Sequence, residues 1–411
     1  MKTFDTPDQY LCTPRWFLDV GFVMYAHFER AFVQTTVEHS SVNSGAAIPE
    51  AELLIECLRE SPLHVSRDTD WHALISLAEN HNVLPLVYRA LEANGAEIPD
   101  FFLSAVQDTH SAVEILAAEL EQLLASFAKE DIEVLPLKGP VLAETLYGDV
   151  AMRPCTDLDL LVHVTDFNRA EKILMNAGWI ASSPADEYQR KFVRDGILVE
   201  LHFGVASPRS FPFDLDGAWS RTSNSTFRGQ PLKVMSEVDR ALYLLLHGLK
   251  HGYSKLIWII DAQRTLDAVR ECSPREFVKR AREQGLEQVL FIGCAMVLEV
   301  LPQRMPQGLA GVLADSPDAM QAARVSVERL LAGEAGTGRG PEIWGIYLLT
   351  ETTSGKRWRR RLMFFIPTNE DYQWTANHRI PRALAPLVRP FRLLAKHGIR
   401  QAWRAAFPPS A

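Results

Sequence analysis

The sequence predicts an α+β fold in which a small mixed β-sheet core is flanked by an N-terminal and a C-terminal helical region. Three observations support this prediction. Helical periodicity dominates before residue 130 and after residue 236, short apolar runs typical of strands lie between, and Asp195-Gly196 separates two of these runs. The length of 411 residues suits two or three domains, each able to bury a core.

The chain before residue 131 divides into two predicted parts. Residues 1–48 show little pattern and run into the loop-like stretch SSVNSGAAIPE, so we expect a weakly ordered extension there. Residues 49–130 are predicted to be helical, with Pro85 suited to a helix start and Gly95 to a helix end. A long amphipathic helix follows, marked by Val106, Val113, Leu116, Leu120, Leu123, Leu124 and Phe127.

Residues 131–235 are predicted to form the sheet core. The Asp195-Gly196 dipeptide indicates a tight hairpin, because the two central residues of such a turn need positive φ. The expected elements are a strand at 132–137, a helix beginning at Pro140, a strand at 158–164, a helix at 166–177, and hairpin strands at 191–194 and 197–203.

The C-terminal part is predicted to be helical again. Ser236 followed by Asp239 resembles a capping box and begins a helical domain over residues 236–335. Residues 336–411 form a basic region, in which we expect helices around Arg357–Arg361 and after Pro381.

Charge is unevenly distributed along the chain. The net charge is −8, which argues against a protein that coats nucleic acid. Residues 350–411 carry 12 Lys and Arg against 3 Asp and Glu, a balance of +9 that leaves −17 for the rest. This segment is interpreted either as a solvated tail lying on the acidic body or as a contact for anionic lipid, polyphosphate or nucleic acid.

The cysteines and the apolar runs predict a cytoplasmic protein. The five cysteines are scattered and form no CxxC pair, as expected for free thiols in a reducing compartment. The apolar run at 16–33 contains Asp19, Glu29 and Arg30, so we predict neither an export signal nor a transmembrane segment.

Two carboxylates head the second predicted strand, in the sequence RPCTDLDLLVHV. Asp157 and Asp159 point the same way because side chains alternate along a strand, and they repel unless a cation lies between them. Mg²⁺ is the usual cation for such oxygen ligands, and Glu200 on a neighbouring strand would complete a site for two ions. The alternative is that Asp157 caps the strand and Asp159 lies at a solvated edge.

The stretch LKGPVLAETLYGDVAMRPCTDLDLLV resembles the core of the DNA polymerase beta-like nucleotidyltransferase superfamily, and in particular an uncharacterised bacterial branch. The resemblance runs from about Trp71 to about Val300. It implies that Asp157 and Asp159 bind metal and that Glu200 is the third acid, which helps to activate an acceptor hydroxyl. It also implies that Gly139 lies where backbone N–H groups approach phosphate, and that the following helical domain closes over the site.

The turn after the first strand departs from the superfamily pattern. Most members have Gly-Ser or Gly-Gly there, whereas this chain has Lys138-Gly139-Pro140. Pro140 offers neither a hydroxyl nor an N–H group, and Lys138 could replace them as a point charge. Arg153 could reach a β- or γ-phosphate, or it could pair with Asp149 or Asp157 and steady the loop.

A second group of polar residues follows in HGLKHGYSKLIWIID. His247 and His251 are spaced by one helical turn, with Lys250 beside them. This spacing occurs in zinc sites, but no third ligand follows, so we expect either a packed pair or a lining of the nucleotide pocket. His202 would point the same way as Glu200, either to hydrogen-bond a metal-bound carboxylate or the acceptor, or in a structural role.

Together these features predict a Mg²⁺-dependent nucleotidyltransferase, with Mn²⁺ as an alternative ion and an NTP as substrate. It would transfer an NMP to a hydroxyl-bearing acceptor, with a small molecule favoured over a macromolecule and nucleic acid not favoured. Lys138, Arg153 and Lys250 would steady the triphosphate. The alternatives are a degenerate member that binds nucleotide or a partner without turnover, and a toxin-like transferase that modifies tRNA or protein.

Overall fold

The computed structural model describes residues 49–59, 62–182, 185–207, 211, 213–269, 272–305, 308–331, 367 and 369–397. The extension expected at 1–48 and the helix expected around Arg357–Arg361 lie outside these residues.

The described chain begins with helices, as the apolar periodicity predicts. Asp70 caps the second of them, because its Oδ1 accepts hydrogen bonds from the backbone N–H groups of His72 and Ala73. Phe102 and Phe127, near the two ends of the long fourth helix, are both fully buried. The helices are α1 (Pro49–Arg59), α2 (Trp71–Asn80), α3 (Leu84–Ala93) and α4 (Asp100–Lys129).

A five-stranded mixed sheet follows and confirms the predicted α+β fold class. The strand order is β1-β2-β5-β4-β3, with β2 and β5 parallel and the other pairs antiparallel. The strands are β1 (Val134–Pro136), β2 (Asp157–Val162), β3 (Ile180–Ala181), β4 (Gln189–Arg194) and β5 (Ile197–His202). Helices α5 (Gly139–Tyr147) and α6 (Phe167–Asn176) connect them.

The alternation along the two parallel strands separates a core face from a polar face. Leu158 and Leu160 of β2 pack in one buried cluster with α4 and α6, as do Val199 and Leu201 of β5. The residues between them in sequence therefore point to the other face, and these are the acids of both strands. Apolar residues thus hold each strand while the carboxylates project away from that core.

The predicted hairpin is present at Asp195-Gly196. Both residues have positive φ, at 50° and 80°, and Arg194 pairs with Ile197 across the turn. A second hairpin, β6 (Ser223–Phe227) and β7 (Gln230–Val234), was not predicted. Its turn is Arg228-Gly229, with φ of 49° and 79°, and arginine is not among the residues that usually indicate such a turn.

The remaining described chain is helical. Ser236 caps α8 as predicted, because its Oγ accepts a hydrogen bond from the N–H of Asp239 at 3.2 Å. After α7 (Leu215–Ser220), the helices are α8 (Glu237–Lys250), α9 (Leu256–Ala268), α10 (Pro274–Glu283), α11 (Glu287–Val300), α12 (Pro317–Leu331), α13 (Asn369–Asn377) and α14 (Ala385–His397). Among the described helices, none combines the length and the apolar character that crossing a membrane requires.

Candidate active site

The candidate site lies on the polar face of the sheet, where the strand register lines up three charged residues. Asp159 of β2 pairs with Glu200 of the parallel strand β5, and Glu200 pairs with Lys191 of β4. His202 follows two residues after Glu200 and shares its face. One ligand atom each from Asp159, Glu200 and His202 lies within 4.8 Å of the others, and we call these three residues the carboxylate–histidine cluster.

The imidazole of His202 joins the two acids of the cluster. Its Nε2 lies 3.1 Å from Asp159 Oδ1 and 3.7 Å from Glu200 Oε2. Its Nδ1 lies 3.3 Å from the backbone oxygen of Gly204. His202 and Asp159 are each only 3% exposed, so these contacts are shielded from water.

Asp157 shares the polar face but lies outside the cluster. Burial and the neighbouring charge of Asp159 raise the pKa of Asp157. The sequence placed Asp157, Asp159 and Glu200 together as metal ligands, and the structure brings only the latter two within the 4.8 Å group, together with His202. Asp157 remains within electrostatic reach of both.

Lys138 supplies a positive charge to these acids. Its Nζ lies 2.9 Å from Asp159 Oδ2, although this oxygen accepts no hydrogen bond of good geometry from the described residues. Burial favours the neutral lysine, but Asp159 and Asp157 outweigh it and raise the pKa of Lys138. Burial likewise opposes ionisation of Asp159, while Lys138 and His202 lower its pKa. Asp159 is therefore an ionised, buried carboxylate held by two cationic or hydrogen-bonding partners.

The donor set fits a divalent metal ion. Two carboxylates and one imidazole converge in a shielded place, and one buried carboxylate oxygen lacks an aligned hydrogen-bond donor among the residues that the structure describes.

A comparison with known families agrees with this geometry. A family model described as an uncharacterised nucleotidyltransferase matches residues 67–302, more than half of the chain. The chain belongs to this family. No curated protein and no solved structure gives a significant match.

In this member of the family, a glycine with positive φ makes the turn after β1. Gly139 has φ of +69°, a left-handed conformation that side chains disfavour, and a Cβ there would lie 3.7 Å from the backbone oxygen of Asp157. Gly139 and Pro140 are both buried at the start of α5. The glycine thus lets the chain turn beside β2 and brings Lys138 to Asp159, and its predicted role toward phosphate stays a prediction.

Lys250 of α8 faces the same site from the helical side. Its Nζ donates a hydrogen bond to the Val205 oxygen at 3.0 Å and lies 4.6 Å from the ring centre of Tyr188. Burial and Lys138 lower the pKa of Lys250 to about 8. Among the predicted phosphate contacts, Lys250 and Lys138 are therefore the two that the fold brings near the carboxylates.

His247 and His251 lie in an aromatic group beside the site. Their ring centres are 4.7 Å apart, and those of His247 and Trp258 are 5.5 Å apart in an edge-to-face arrangement. Burial and Lys138 lower the pKa of His247 well below its ordinary value, so this ring is neutral. Of the two sequence interpretations, this packing favours a packed pair for His247, and contact with nucleotide stays a prediction.

Arg153 has a different partner from those predicted. Its Nε donates to Asp261 Oδ1 at 2.9 Å and its Nη2 to Asp261 Oδ2 at 2.7 Å. The expectation that it pairs with Asp149 or Asp157 is therefore wrong. Tyr147 donates to the same carboxylate at 2.7 Å. These bonds connect the loop before β2 to α9 and favour a structural role for Arg153.

Three residues near the acids were missed by the sequence analysis. Lys191 forms an ion pair with Glu200, and the Tyr188 ring lies beside the ammonium group of Lys250. Burial lowers the pKa of Lys255, and the nearby charge of Asp157 partly offsets this effect. Lys191 could have been found, because counting back from the Asp195-Gly196 turn puts it opposite Glu200. Lys255 gave no signal, since only the packing of α9 brings it near β2.

Proposed function

We propose that the protein is a metal-dependent nucleotidyltransferase that transfers an NMP unit from an NTP to a hydroxyl-bearing acceptor. The observation that supports it most is the register of β2 and β5, which brings Asp159 and Glu200 together beside His202 on a polar face, with Asp157 close by. Membership of a nucleotidyltransferase family gives the class of reaction. Mg²⁺ is the ion that the carboxylates favour, with Mn²⁺ as the alternative.

The reaction exchanges a phosphoanhydride bond of the NTP for a phosphate ester bond to the acceptor. The acceptor oxygen attacks the α-phosphorus, the bond from that phosphorus to the α,β-bridging oxygen breaks, and pyrophosphate leaves. A bound divalent ion supplies charge neutralisation and lowers the pKa of the hydroxyl. We propose that Asp157, Asp159 and Glu200 hold metal, and that Glu200 takes up the proton of the acceptor.

Lysines around the acids are proposed to bind the triphosphate. Lys138 contacts Asp159, and Lys191 contacts Glu200. The charges of Asp159 and Glu200 also raise the pKa of Lys250, against the larger effects of burial and Lys138. Phosphate oxygens carry more negative charge than a single carboxylate, so an arriving triphosphate would compete for these ammonium groups. Catalysis of this kind depends on positioning and electrostatic stabilisation, without a covalent intermediate on the protein.

The acceptor is proposed to be a small molecule, and nucleic acid is not favoured. Among the described basic residues of the C-terminal region, Arg389 and Arg392 both pair with Asp371 rather than presenting a purely basic surface. We further propose a cytoplasmic location, because Cys57, Cys155 and Cys294 are free thiols.

The direct test is transfer of label from each of the four NTPs labelled at the α-phosphate, in the presence of Mg²⁺ or Mn²⁺. Fractionated cell extract would provide acceptors for the full-length chain. The test variant is Asp159→Asn, and the matched control is Asp195→Asn, the same change at an exposed hairpin turn where asparagine suits the positive φ. Transfer by the native chain and by the control, but not by Asp159→Asn, would support the proposal.

A second candidate is a family member that binds nucleotide without turnover. The observation that favours it is the ion pair of Lys138 with Asp159, since a cation of the chain itself already neutralises this carboxylate. The same experiment separates the two, provided that binding of labelled NTP is measured in parallel. Metal-dependent binding lost in Asp159→Asn, with no transfer to any fraction, would favour the second candidate.

A further inference from the structure

We propose that His202 is a direct metal ligand through Nε2, and that the carboxylate–histidine cluster therefore prefers a first-row transition-metal ion such as Mn²⁺ to Mg²⁺. This inference rests on the proposed metal-dependent function and deepens it. A site made of Asp157, Asp159 and Glu200 alone would offer only oxygen ligands. In the structure, the third ligand within 4.8 Å of Asp159 and Glu200 is instead an imidazole nitrogen.

The hydrogen bonding of the ring indicates which nitrogen is available. Nδ1 lies 3.3 Å from the Gly204 carbonyl oxygen, which can only accept a hydrogen bond, so Nδ1 carries a proton. A backbone carbonyl on one ring nitrogen is the common arrangement that orients a metal-binding histidine. Nε2 is then the ring nitrogen that faces the two acids, and a metal ion bound there would take the place of a proton.

This orientation requires a positive charge between the three groups. A lone pair 3.1 Å from Asp159 Oδ1 and 3.7 Å from Glu200 Oε2 would be repelled by both carboxylates. Only a proton or a metal ion on Nε2 turns the arrangement into an attraction. The burial of His202 and Asp159, each 3% exposed, strengthens this requirement because little water is present to screen the charges.

The ligand types then decide which ion is preferred. Mg²⁺ prefers oxygen ligands and retains several of its waters, whereas imidazole suits transition-metal ions, whose affinities for mixed nitrogen and oxygen sites are higher. The Tyr188 ring also lies beside it, with the ring planes at 28° and the ring centres 6.1 Å apart. A buried, oriented imidazole beside two carboxylates is thus poorly matched to Mg²⁺ alone.

The test uses Mn²⁺ as the probe and electron spin-echo spectroscopy as the readout, on the full-length chain without substrate. Bound Mn²⁺ should show modulation from a directly coordinated ¹⁴N nucleus, and this modulation should change when the chain is labelled with ¹⁵N-histidine. The signal should be absent from His202→Gln and retained in His163→Gln, a control at a 40% exposed side chain. Bound Mn²⁺ without nitrogen coupling, or coupling retained in His202→Gln, would overturn the proposal.

Competition between Mg²⁺ and Mn²⁺ gives an independent measurement. The amide oxygen of Gln can replace Nε2 with a hard ligand, so the preference for Mn²⁺ over Mg²⁺ should fall by about tenfold or more in His202→Gln. An unchanged ratio would mean that His202 only orients Asp159. If nitrogen coupling is found but no nucleotide is transferred, the ligand assignment stands and the proposed reaction fails. If nucleotide is transferred but no nitrogen coupling is found, the proposed reaction stands and the ligand assignment fails.

Discussion

At the scale of single residues, the positive charge of Lys138 offsets the negative charge of Asp159. The two side chains are 11% and 2% exposed, and the ammonium group lies 2.9 Å from a carboxylate oxygen. Asp157 is close enough to raise the pKa of Lys138 as well. Without Lys138, two carboxylates on one strand would lose the cation that stabilises them in the metal-free chain.

Replacing Lys138 should therefore destabilise the metal-free chain and increase its response to metal. Lys138→Met should lower the free energy of unfolding by about 3 kcal/mol, because it leaves a buried carboxylate without its partner. Added Mn²⁺ should restore more stability to this variant than to the native chain. Urea unfolding with and without Mn²⁺ measures both effects.

The matched control is Lys233→Met, which removes a lysine paired with Glu133 at a 41% exposed position. Its cost should stay below about 1 kcal/mol, as for other surface ion pairs. Equal losses in the two variants would contradict the role given to Lys138.

His81 is a buried histidine outside the site, and it should make stability depend on pH. It is 6% exposed, and its Nδ1 has no hydrogen-bond partner among the described residues. Burial, with a smaller effect of Lys255, lowers its pKa from 6.5 to about 4. Between these values the unfolded chain binds a proton that the folded chain does not, so stability falls as pH falls from about 6.5 to about 4.

Across that window the contribution of His81 should reach about 3 kcal/mol. His81→Gln should remove it, so that the difference in unfolding free energy between variant and native chain changes with pH. His110→Gln, at a 53% exposed side chain, is the control and should give a constant difference. Parallel pH curves for the native chain and His81→Gln would show that the buried ring does not have this effect.

At the scale of elements, the β1–α5 turn positions Lys138 through the backbone of Gly139. The left-handed φ of +69° is required at the point where the chain passes the backbone of Asp157. The contact distances allow a methyl group, so the cost of a side chain comes from the backbone conformation. The buried Pro140 then begins α5 without losing a helical hydrogen bond.

Gly139→Ala should cost about 1–2 kcal/mol of stability, the usual cost of a left-handed alanine. Gly196→Ala, at the exposed hairpin turn with φ of +80° and no atom near the added Cβ, should cost a similar amount. Only Gly139→Ala should also strengthen Mn²⁺ binding, because it moves the competing ammonium group of Lys138 away from Asp159. Isothermal titration with Mn²⁺ on both folded variants decides this, and equal affinities would refute the positioning role.

At the scale of the whole molecule, Arg153 and Asp261 connect the sheet core to the C-terminal helices. They are 108 residues apart in sequence, are almost fully buried, and form a bidentate pair that also receives the Tyr147 hydroxyl. The Arg264 side chain packs over the Tyr147 ring at 4.4 Å. The division of the chain at residues 130 and 235 stays a proposal. The Arg153–Asp261 ion pair joins residues on the two sides of the second boundary.

Arg153→Met and Asp261→Asn should each lower the free energy of unfolding by about 3–5 kcal/mol, since each leaves an unpaired buried group. The double variant should lose less than the sum of the two. Arg169→Met, which breaks a pair with Asp166 at a 53% exposed arginine, should cost below about 1 kcal/mol. A loss of NTP affinity in folded Arg153→Met that exceeds the loss in Asp261→Asn would instead favour direct contact with phosphate.

Local patterns in the sequence were sufficient to predict most of the elements, though not the β6–β7 hairpin, and the polar face of the sheet. The hairpin at Asp195-Gly196, the Ser236 cap and the α+β class depend on neighbouring residues, whose conformational preferences are expressed wherever the chain folds. The alternation of apolar and acidic residues in β2 and β5 likewise fixes which side chains share a face. For this reason the sequence by itself indicates which acids share a face within each strand.

Only the tertiary structure decided which of these residues meet. The order of the strands makes β2 the parallel neighbour of β5, and this register, rather than spacing in sequence, places Glu200 and His202 beside Asp159 and leaves Asp157 outside the cluster. The pairing of Arg153 with Asp261, and the approach of Lys255 to Asp157, depend on helix packing across more than 90 residues of chain. Contacts of this range depend on how whole elements bury their surfaces together, and no short stretch of sequence contains that information.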